Sequence, residues 1–197
     1  GTPPMMWANS HGLRWGIPEE RAKMVEIYRN VCKLHEVIGD QEMVSHAFLS
    51  DDRMVQQSVF EDGTTCTVNF GKSVLNVARH APASDELALG ENDFYVWGPE
   101  IEQWRCGSGS NTLDASRRQT VIRTGQYTFL DTAEGPLSDQ GLICTGEVTV
   151  RQSGPDELFL DLAAGAALQI NVGRWRPRLV GRPYMLHRLV AEGRPVA

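Results

Sequence analysis

The sequence predicts a mainly β protein: an antiparallel β-sandwich preceded by one amphipathic α-helix. After residue 40, apolar and polar residues alternate with a period of two over many short runs, as they do in half-buried strands. Glycine (19 residues) and proline (10 residues) separate these runs, as turns between short strands require. Before residue 40, one run has helical spacing instead. A length of 197 residues suits one domain, or one domain with an attached segment.

The helix is predicted over Pro18–Ile38. Pro18 lies in its first turn, where a missing N–H costs nothing, and Gly39 ends it. An isolated amphipathic helix cannot bury its own apolar residues, so this one must pack on the sandwich or on another partner. The predicted apolar stripe is Met24, Tyr28, Val31, His35 and Ile38, whereas the charged residues expected to face water are Arg21, Lys23, Glu26 and Lys33.

A hairpin is predicted directly after the helix, from Arg53–Phe60 and Thr65–Phe70. Its turn contains Asp-Gly, and Gly63 is expected to have a positive φ because this conformation is strained for residues with a β-carbon. Asp62 is expected to cap the turn through its side chain. Phe60 and Phe70 are expected to point into the sandwich.

About ten short strands in all are predicted, with no second helix between them, which favours an antiparallel sandwich. The strands after the hairpin are predicted at Ser73–Ala78, Asp93–Trp97, Ile101–Cys106, Gln119–Thr124, Tyr127–Asp131, Leu142–Arg151, Glu157–Leu162 and Ala167–Val172.

Composition argues against several classes of protein. The net charge of −6 disfavours nucleic acid as a partner, because phosphate binding needs clustered Lys and Arg. The arginine-rich end of the chain, residues 174–194, is interpreted as a surface paired with acids of the domain. The four cysteines have no CxxC spacing, so no metal or other cofactor is expected. No apolar run is long enough for a membrane helix, and no signal peptide opens the sequence.

Several stretches resemble the end of a glycoside hydrolase. They are Gly1–Pro4, Asn9, the pair Tyr28-Arg29 and the segment Asp52–Gly71. The similar proteins are (β/α)₈-barrel enzymes of the endo-α-N-acetylgalactosaminidase-like group, in which a C-terminal β-sandwich opens with a hairpin of the pattern Phe-x-Asp-Gly-Thr…Asn-x-Gly. The matching residues are Phe60, Asp62, Gly63, Thr64, Asn69 and Gly71.

The resemblance implies a division near residue 40. Residues 1–40 would be the loop and helix that end the barrel, and residues 41–197 the C-terminal sandwich. The family's catalytic carboxylates lie on earlier barrel strands, and no residue here matches them. The resemblance therefore implies an accessory module whose partner is the upstream catalytic barrel, with a secreted or periplasmic parent protein as one option.

Paired carboxylates, which a glycosidase needs, occur at several places in the sequence. We interpret these pairs as structural or solvent-facing, with Glu100 and Glu102 on one face of an exposed edge strand. The pairs are Asp51-Asp52, Glu61-Asp62, Asp85-Glu86, Glu100/Glu102 and Asp156-Glu157. No nucleophile elbow or nucleotide-binding loop is present.

The tryptophans provide an alternative function, since sugars stack on flat aromatic rings. Trp7, with Asn9 and His11 beside it, precedes the helix, where the loop after a last barrel strand borders an active site. Trp97 and Trp104 lie on consecutive predicted strands. These five residues are the candidate carbohydrate-binding residues, and packing of the same rings is the alternative. Buried rings would favour an accessory module, and exposed coplanar rings a carbohydrate-binding module.

Overall fold

The computed structural model describes residues 16–80, 85–107, 118–132, 135–154 and 157–171. The fold is mainly β, with antiparallel sheets and one helix of 21 residues before the strands, which confirms the predicted fold class. No helix in these ranges has the length and apolar character needed to cross a membrane.

The helix α1 comprises Pro18–Ile38 and Gly39 caps its C-terminal end. The strands are β1 (Met43–Phe48), β2 (Val55–Phe60), β3 (Thr65–Asn69), β4 (Leu75–Ala78), β5 (Glu86–Leu89), β6 (Asp93–Trp97), β7 (Ile101–Gly107), β8 (Arg118–Thr124), β9 (Tyr127–Asp131), β10 (Leu137–Asp139), β11 (Leu142–Thr145), β12 (Glu147–Gly154), β13 (Glu157–Leu162) and β14 (Ala167–Ile170).

Three sheets form from these strands. The largest has nine strands in the order β1-β2-β3-β6-β7-β8-β9-β12-β13, so β1 and β13 are its edges. A three-stranded sheet has the order β10-β11-β14, and β4 pairs with β5 in a two-stranded sheet. Strands that follow one another in the chain pair in most places, which is typical of an antiparallel meander.

The two small sheets pack on one face of the large sheet. The shared core joins Tyr95, Trp104 and Leu130 of the large sheet to Leu89 of β5 and Leu142 of β11. Because side chains alternate along a strand, the odd-numbered residues of β6 and the even-numbered residues of β7 have their side chains on this face. The fold is therefore sandwich-like, with one large layer and a divided second layer.

The helix covers part of the opposite face. Gln103, which neighbours Trp104 and so points the other way, donates through Nε2 to the backbone oxygen of Asn30 on α1 at 3.1 Å. The Arg29 guanidinium lies 3.9 Å from the centre of the Phe129 ring, and it also pairs with Glu147 of β12 at 3.0 Å. Lys33 lies over the Tyr127 ring at 4.7 Å. Glu26 pairs with Arg105 of β7.

These contacts correct one expectation about the helix. Glu26 and Lys33 do not simply face water, since both contact the large sheet. In the predicted apolar stripe, Met24 and Ile38 are buried, whereas Tyr28 is 60% exposed. Whether residues 1–40 and 41–197 are separate units stays a prediction.

The turn of the first hairpin is as predicted. Gly63 has a φ of 88°, and Asp62 accepts hydrogen bonds from the Thr64 N–H and hydroxyl, both at 2.8 Å. The prediction that Phe70 points into the core is wrong, because its side chain is 42% exposed. On β3 it is Thr67 and Asn69 that are buried, so polar residues occupy the inner face there.

Four strand assignments also needed correction. The strands β1, β5 and β10 were not predicted. The run predicted as one strand over Leu142–Arg151 is divided into β11 and β12 at Gly146. Gly146 has a φ of 77°, and a β-carbon there would lie 3.0 Å from the Ala166 β-carbon. This break lets the chain leave the small sheet and enter the large one.

Candidate functional site

Trp97 and Trp104 lie on the face of the large sheet that carries the two small sheets. They occupy adjacent strands, with Tyr95 opposite Trp104 and Glu102 opposite Trp97. Trp104 is 3% exposed and belongs to the main core. It therefore has little accessible ring surface on which a sugar could stack.

Trp97 is half-buried, and one face of its ring is covered by His80. The two ring centres lie 4.0 Å apart with an angle of 22° between the planes. The backbone N–H of His80 also donates to the Tyr95 hydroxyl at 3.1 Å, which fixes the histidine beside the tryptophan. The binding of sugar by Trp97 and Trp104 stays a prediction that this packing does not favour. Trp7, Asn9 and His11 lie outside the described residues.

A buried group of charges lies beside Trp104. We call Arg79, Glu102, Arg123 and Asp139 the arginine–carboxylate cluster. Arg79 donates to Glu102 Oε1 from Nη2 at 2.6 Å and to Asp139 Oδ1 from Nη1 at 3.1 Å. Arg123 donates to Glu102 Oε2 at 2.9 Å and also binds Asp139. Each carboxylate thus binds two arginines, and the second oxygen of Glu102 also accepts from Gln140 at 3.2 Å.

The cluster joins all three sheets. Arg79 directly follows β4, Glu102 and Arg123 are opposite each other on β7 and β8, and Asp139 ends β10. The Arg79 side chain is 3% exposed and that of Asp139 2%. Burial by itself lowers the pKa of Arg79, but Asp139 and Glu102 outweigh it, so the pKa stays above its ordinary value. The arginine therefore stays charged despite its burial.

This position of Glu102 corrects the sequence interpretation. We expected Glu102 on an exposed edge strand, but β7 is the fifth strand of the nine and its carboxylate is nearly buried. A glycosidase needs one carboxyl that donates a proton and one that attacks or activates water, both facing a substrate. Glu102 and Asp139 instead have their oxygens occupied by two arginines, which is the arrangement of a structural ion-pair network.

Two clefts lie next to these elements. One, of about 450 Å³, is bordered by Asn76, Arg79, Trp104, Gln119 and Leu137, between the two small sheets. The other, of about 560 Å³, lies between α1 and the large sheet. Its charged residues include Arg29, Arg105 and Arg118, which pair with Glu147, Glu26 and Asp93.

Three of the four thiols, those of Cys66, Cys106 and Cys144, are poor nucleophiles near neutral pH. Burial raises the pKa of Cys66 and of Cys106 to about 12, and that of Cys144 to about 11. Since the thiolate is the nucleophile and metal ligand, these cysteines act as small core residues. Within the described ranges, no three or more His, Cys, Asp or Glu side chains converge in a way that would hold a metal ion.

Sequence reasoning did not find the arginine–carboxylate cluster. Its members are far apart in the chain, and β10, which ends in Asp139, was not predicted. A signal was present in Glu102, a charged residue next to Ile101 in a predicted strand, and in Arg123, which directly follows the apolar pair Val121-Ile122. No protein family, curated protein or solved structure was found to match this chain.

Proposed function

We propose that this chain is the C-terminal accessory β-sandwich of a larger carbohydrate-active enzyme of the glycoside hydrolase type. In this role it packs on the catalytic barrel upstream, stabilises it, and does not catalyse hydrolysis alone. The resemblance of residues 1–71 to the end of such enzymes supports the proposal. The structural observation that carries it is the outer face of α1, which we define as Ile27 and Tyr28.

The outer face is apolar although it is exposed. Ile27 is 46% and Tyr28 60% exposed. The contacts described above between α1 and the sheet come from Glu26, Arg29, Asn30 and Lys33. At 100° per residue, Glu26, Asn30 and Lys33 lie about 140–160° from Tyr28 on the helix. A helix whose polar residues contact its own sheet while Ile27 and Tyr28 stay exposed is suited to a second partner.

The absence of an assembled carboxylate pair supports the second half of the proposal. In the described part of the chain, the two most buried neighbouring carboxylates, Glu102 and Asp139, are held by Arg79 and Arg123. Neither faces a cleft with free oxygens. We therefore expect no hydrolysis when the chain alone is incubated with a panel of aryl glycosides, and turnover that is lost on mutation of one acid would contradict this.

The docking surface is tested by binding to the upstream region encoded in the source gene, produced as a separate polypeptide. We expect association measurable by calorimetry, and Tyr28→Glu should weaken it at least about tenfold, because a buried charge without a partner is costly at an interface. Val74→Glu is the matched control, since Val74 is equally apolar, 41% exposed and distant from the helix in sequence. Equal binding by both variants would contradict the proposal.

A carbohydrate-binding module is the second candidate. The cleft of about 450 Å³ favours it, because Asn76 and Gln119 offer hydrogen-bonding groups beside the Trp104 wall, and its size fits ligand pockets. Titration with oligosaccharides, followed by tryptophan fluorescence, tests this function. Saturable quenching that Gln119→Ala removes would support it, and no change with any glycan would exclude binding at this cleft.

A further inference from the structure

The two edges of the nine-stranded sheet differ in how they are protected. Natural proteins place charged residues, prolines or bulges on exposed edge strands, because an unpaired edge can bind another strand. The edge strand β13 contains Glu157 and Asp161. The edge strand β1 has the sequence MVSHAF, with no acidic residue, lysine, arginine or proline, and all six of its residues are exposed. The pairing at each edge has one irregularity, between Met43 and Ser45 of β1 and between Gln152 and Gly154 of β12, so the two edges differ in their charged residues. Within the described residues, no strand pairs with its outer side.

The hydrogen bonding of β1 shows which backbone groups are free for a partner. The Leu49 N–H donates to the Val55 oxygen of the neighbouring strand at 2.8 Å. In an antiparallel ladder the bonding direction alternates, so Ala47 and Ser45 also bond towards β2. The N–H and C=O groups of His46 and Phe48 therefore point away from the sheet.

We propose that β1 is the contact strand of a symmetric homodimer, in which the β1 strands of two copies pair antiparallel with His46 opposite His46. Only the even-numbered residues of β1, whose N–H and C=O groups point away from β2, can bond to the second copy. Every register that pairs an even-numbered residue with an odd-numbered one is therefore excluded. The register centred on His46 places Ser45 opposite Ala47 in the regular part of the strand, and Phe48 opposite Val44, where the pairing of β1 with β2 is irregular. Phe48 thus meets an apolar residue, and no charge meets a charge within the paired strands.

A register centred on Ser45 is less favourable than the one centred on His46. A pair centred on Ser45 would set Phe48 opposite Glu42, which precedes β1. Apolar surface lies at the same edge, since Val44 and Phe48 of β1 and Leu49 of the β1–β2 connection are each more than half exposed. The neighbouring strand β2 carries no charged residue either. Two copies of the chain, each with a net charge of −6, therefore meet along strands that contain no charged residue, with the Arg53 guanidinium 5.5 Å from the centre of the Phe48 ring as the neighbouring charge.

The molar mass of the intact chain in solution is measured by sedimentation equilibrium over a range of concentrations. We expect a reversible dimer. His46→Lys places two ammonium groups opposite each other and should raise the dissociation constant at least about tenfold, since like charges across an interface cost several kcal/mol. Leu160→Lys adds the same charge to the other edge and should leave the dimer unchanged. A monomer at every concentration, or equal effects of the two variants, would overturn the proposal.

The register has a separate test by disulfide formation. Residues paired by hydrogen bonds in an antiparallel ladder have Cα atoms about 5.5 Å apart, which a disulfide can span. Oxidation of the His46→Cys variant should therefore give a covalent dimer. Phe48→Cys is the matched control, because two copies of position 48 lie far apart in this register while the native cysteines are the same in both variants. Crosslinking of Phe48→Cys as fast as His46→Cys would refute the register.

Discussion

Removal of Arg79 should destabilise the protein strongly, because this side chain is buried and holds two carboxylates. In Arg79→Met the volume is similar, but Glu102 and Asp139 keep only Arg123 as a cationic partner among those described. Removing one member of a buried ion-pair network typically costs about 3–5 kcal/mol. A chain of this size loses about 2–4 °C per kcal/mol, so the melting temperature should fall by roughly 6–20 °C. Thermal denaturation followed by circular dichroism measures this.

Two matched variants separate the network from simple loss of charge. Arg79→Lys retains the charge but cannot donate to both carboxylates through a planar fork. Its melting temperature should therefore lie between those of Arg79→Met and the original protein. Asp85→Asn removes the partner at the rim, which is 64% exposed and 3.4 Å from Arg79, and should change stability by less than about 1 kcal/mol. If Arg79→Met melts within 2 °C or so of the original protein, the cluster does not join the three sheets as described.

The remaining predictions concern the core and the turns. Phe60→Ala should cost about 3–5 kcal/mol, and Phe70→Ala less than about 1, because the first ring is 9% and the second 42% exposed; urea denaturation distinguishes them. Gly98→Ala should cost about 1–3 kcal/mol in the same assay, since its new β-carbon would lie 2.1 Å from Thr64 Oγ1, and an unchanged midpoint would contradict that contact. Burial raises the pKa of Cys106 to about 12 and of Cys144 to about 11, so the unfolded chain loses these protons first as the pH rises. Stability should therefore be fully present below about pH 9 and fall towards pH 11–12, and thiol reagents should react slowly with Cys106 and Cys144 of the folded protein at pH 8, as peptide mapping after labelling measures.

The fold class and many of the strands could be predicted because their signals are local. The period-two alternation predicts β2 and β3, and the Asp-Gly turn between them follows from the conformation that Gly63 allows. The missed strands lack such a signal. β10 has only three residues, and β1 is exposed on both faces, so it has no inner apolar positions to alternate with outer polar ones.

Burial of particular residues was harder to predict than the strands themselves. Phe70 continues the alternation of Cys66 and Val68, but in the structure the opposite row, with Thr67 and Asn69, faces inward. The buried position of Asn69 is stable because its side-chain amide donates to the backbone oxygens of Ser73 and Leu89, both at 2.8 Å. Burial along the helix was hard to predict for a similar reason, since the side of α1 that faces the sheet has ion pairs with Glu147 and Arg105, which an apolar pattern does not indicate.

The candidate site could be predicted only in part. The sequence identifies tryptophans as binding groups, but whether Trp104 is buried depends on β5, which pairs with β4 and closes over the ring. The arginine–carboxylate cluster depends on cross-strand pairing and on the junction of three sheets, neither of which has a linear pattern.

The most direct test of the accessory role is hydrogen–deuterium exchange of α1 in two settings. Exchange is measured for this chain alone and for the chain joined to the upstream barrel that the proposal requires, with peptides that cover the outer face at Ile27 and Tyr28. If the helix docks on an upstream barrel, amide exchange in these peptides should slow by about tenfold or more in the longer protein. The backbone amides of β7 and β8, which carry Glu102 and Arg123 of the arginine–carboxylate cluster, should exchange equally in both. Equal exchange of the helix in the two proteins would contradict the account.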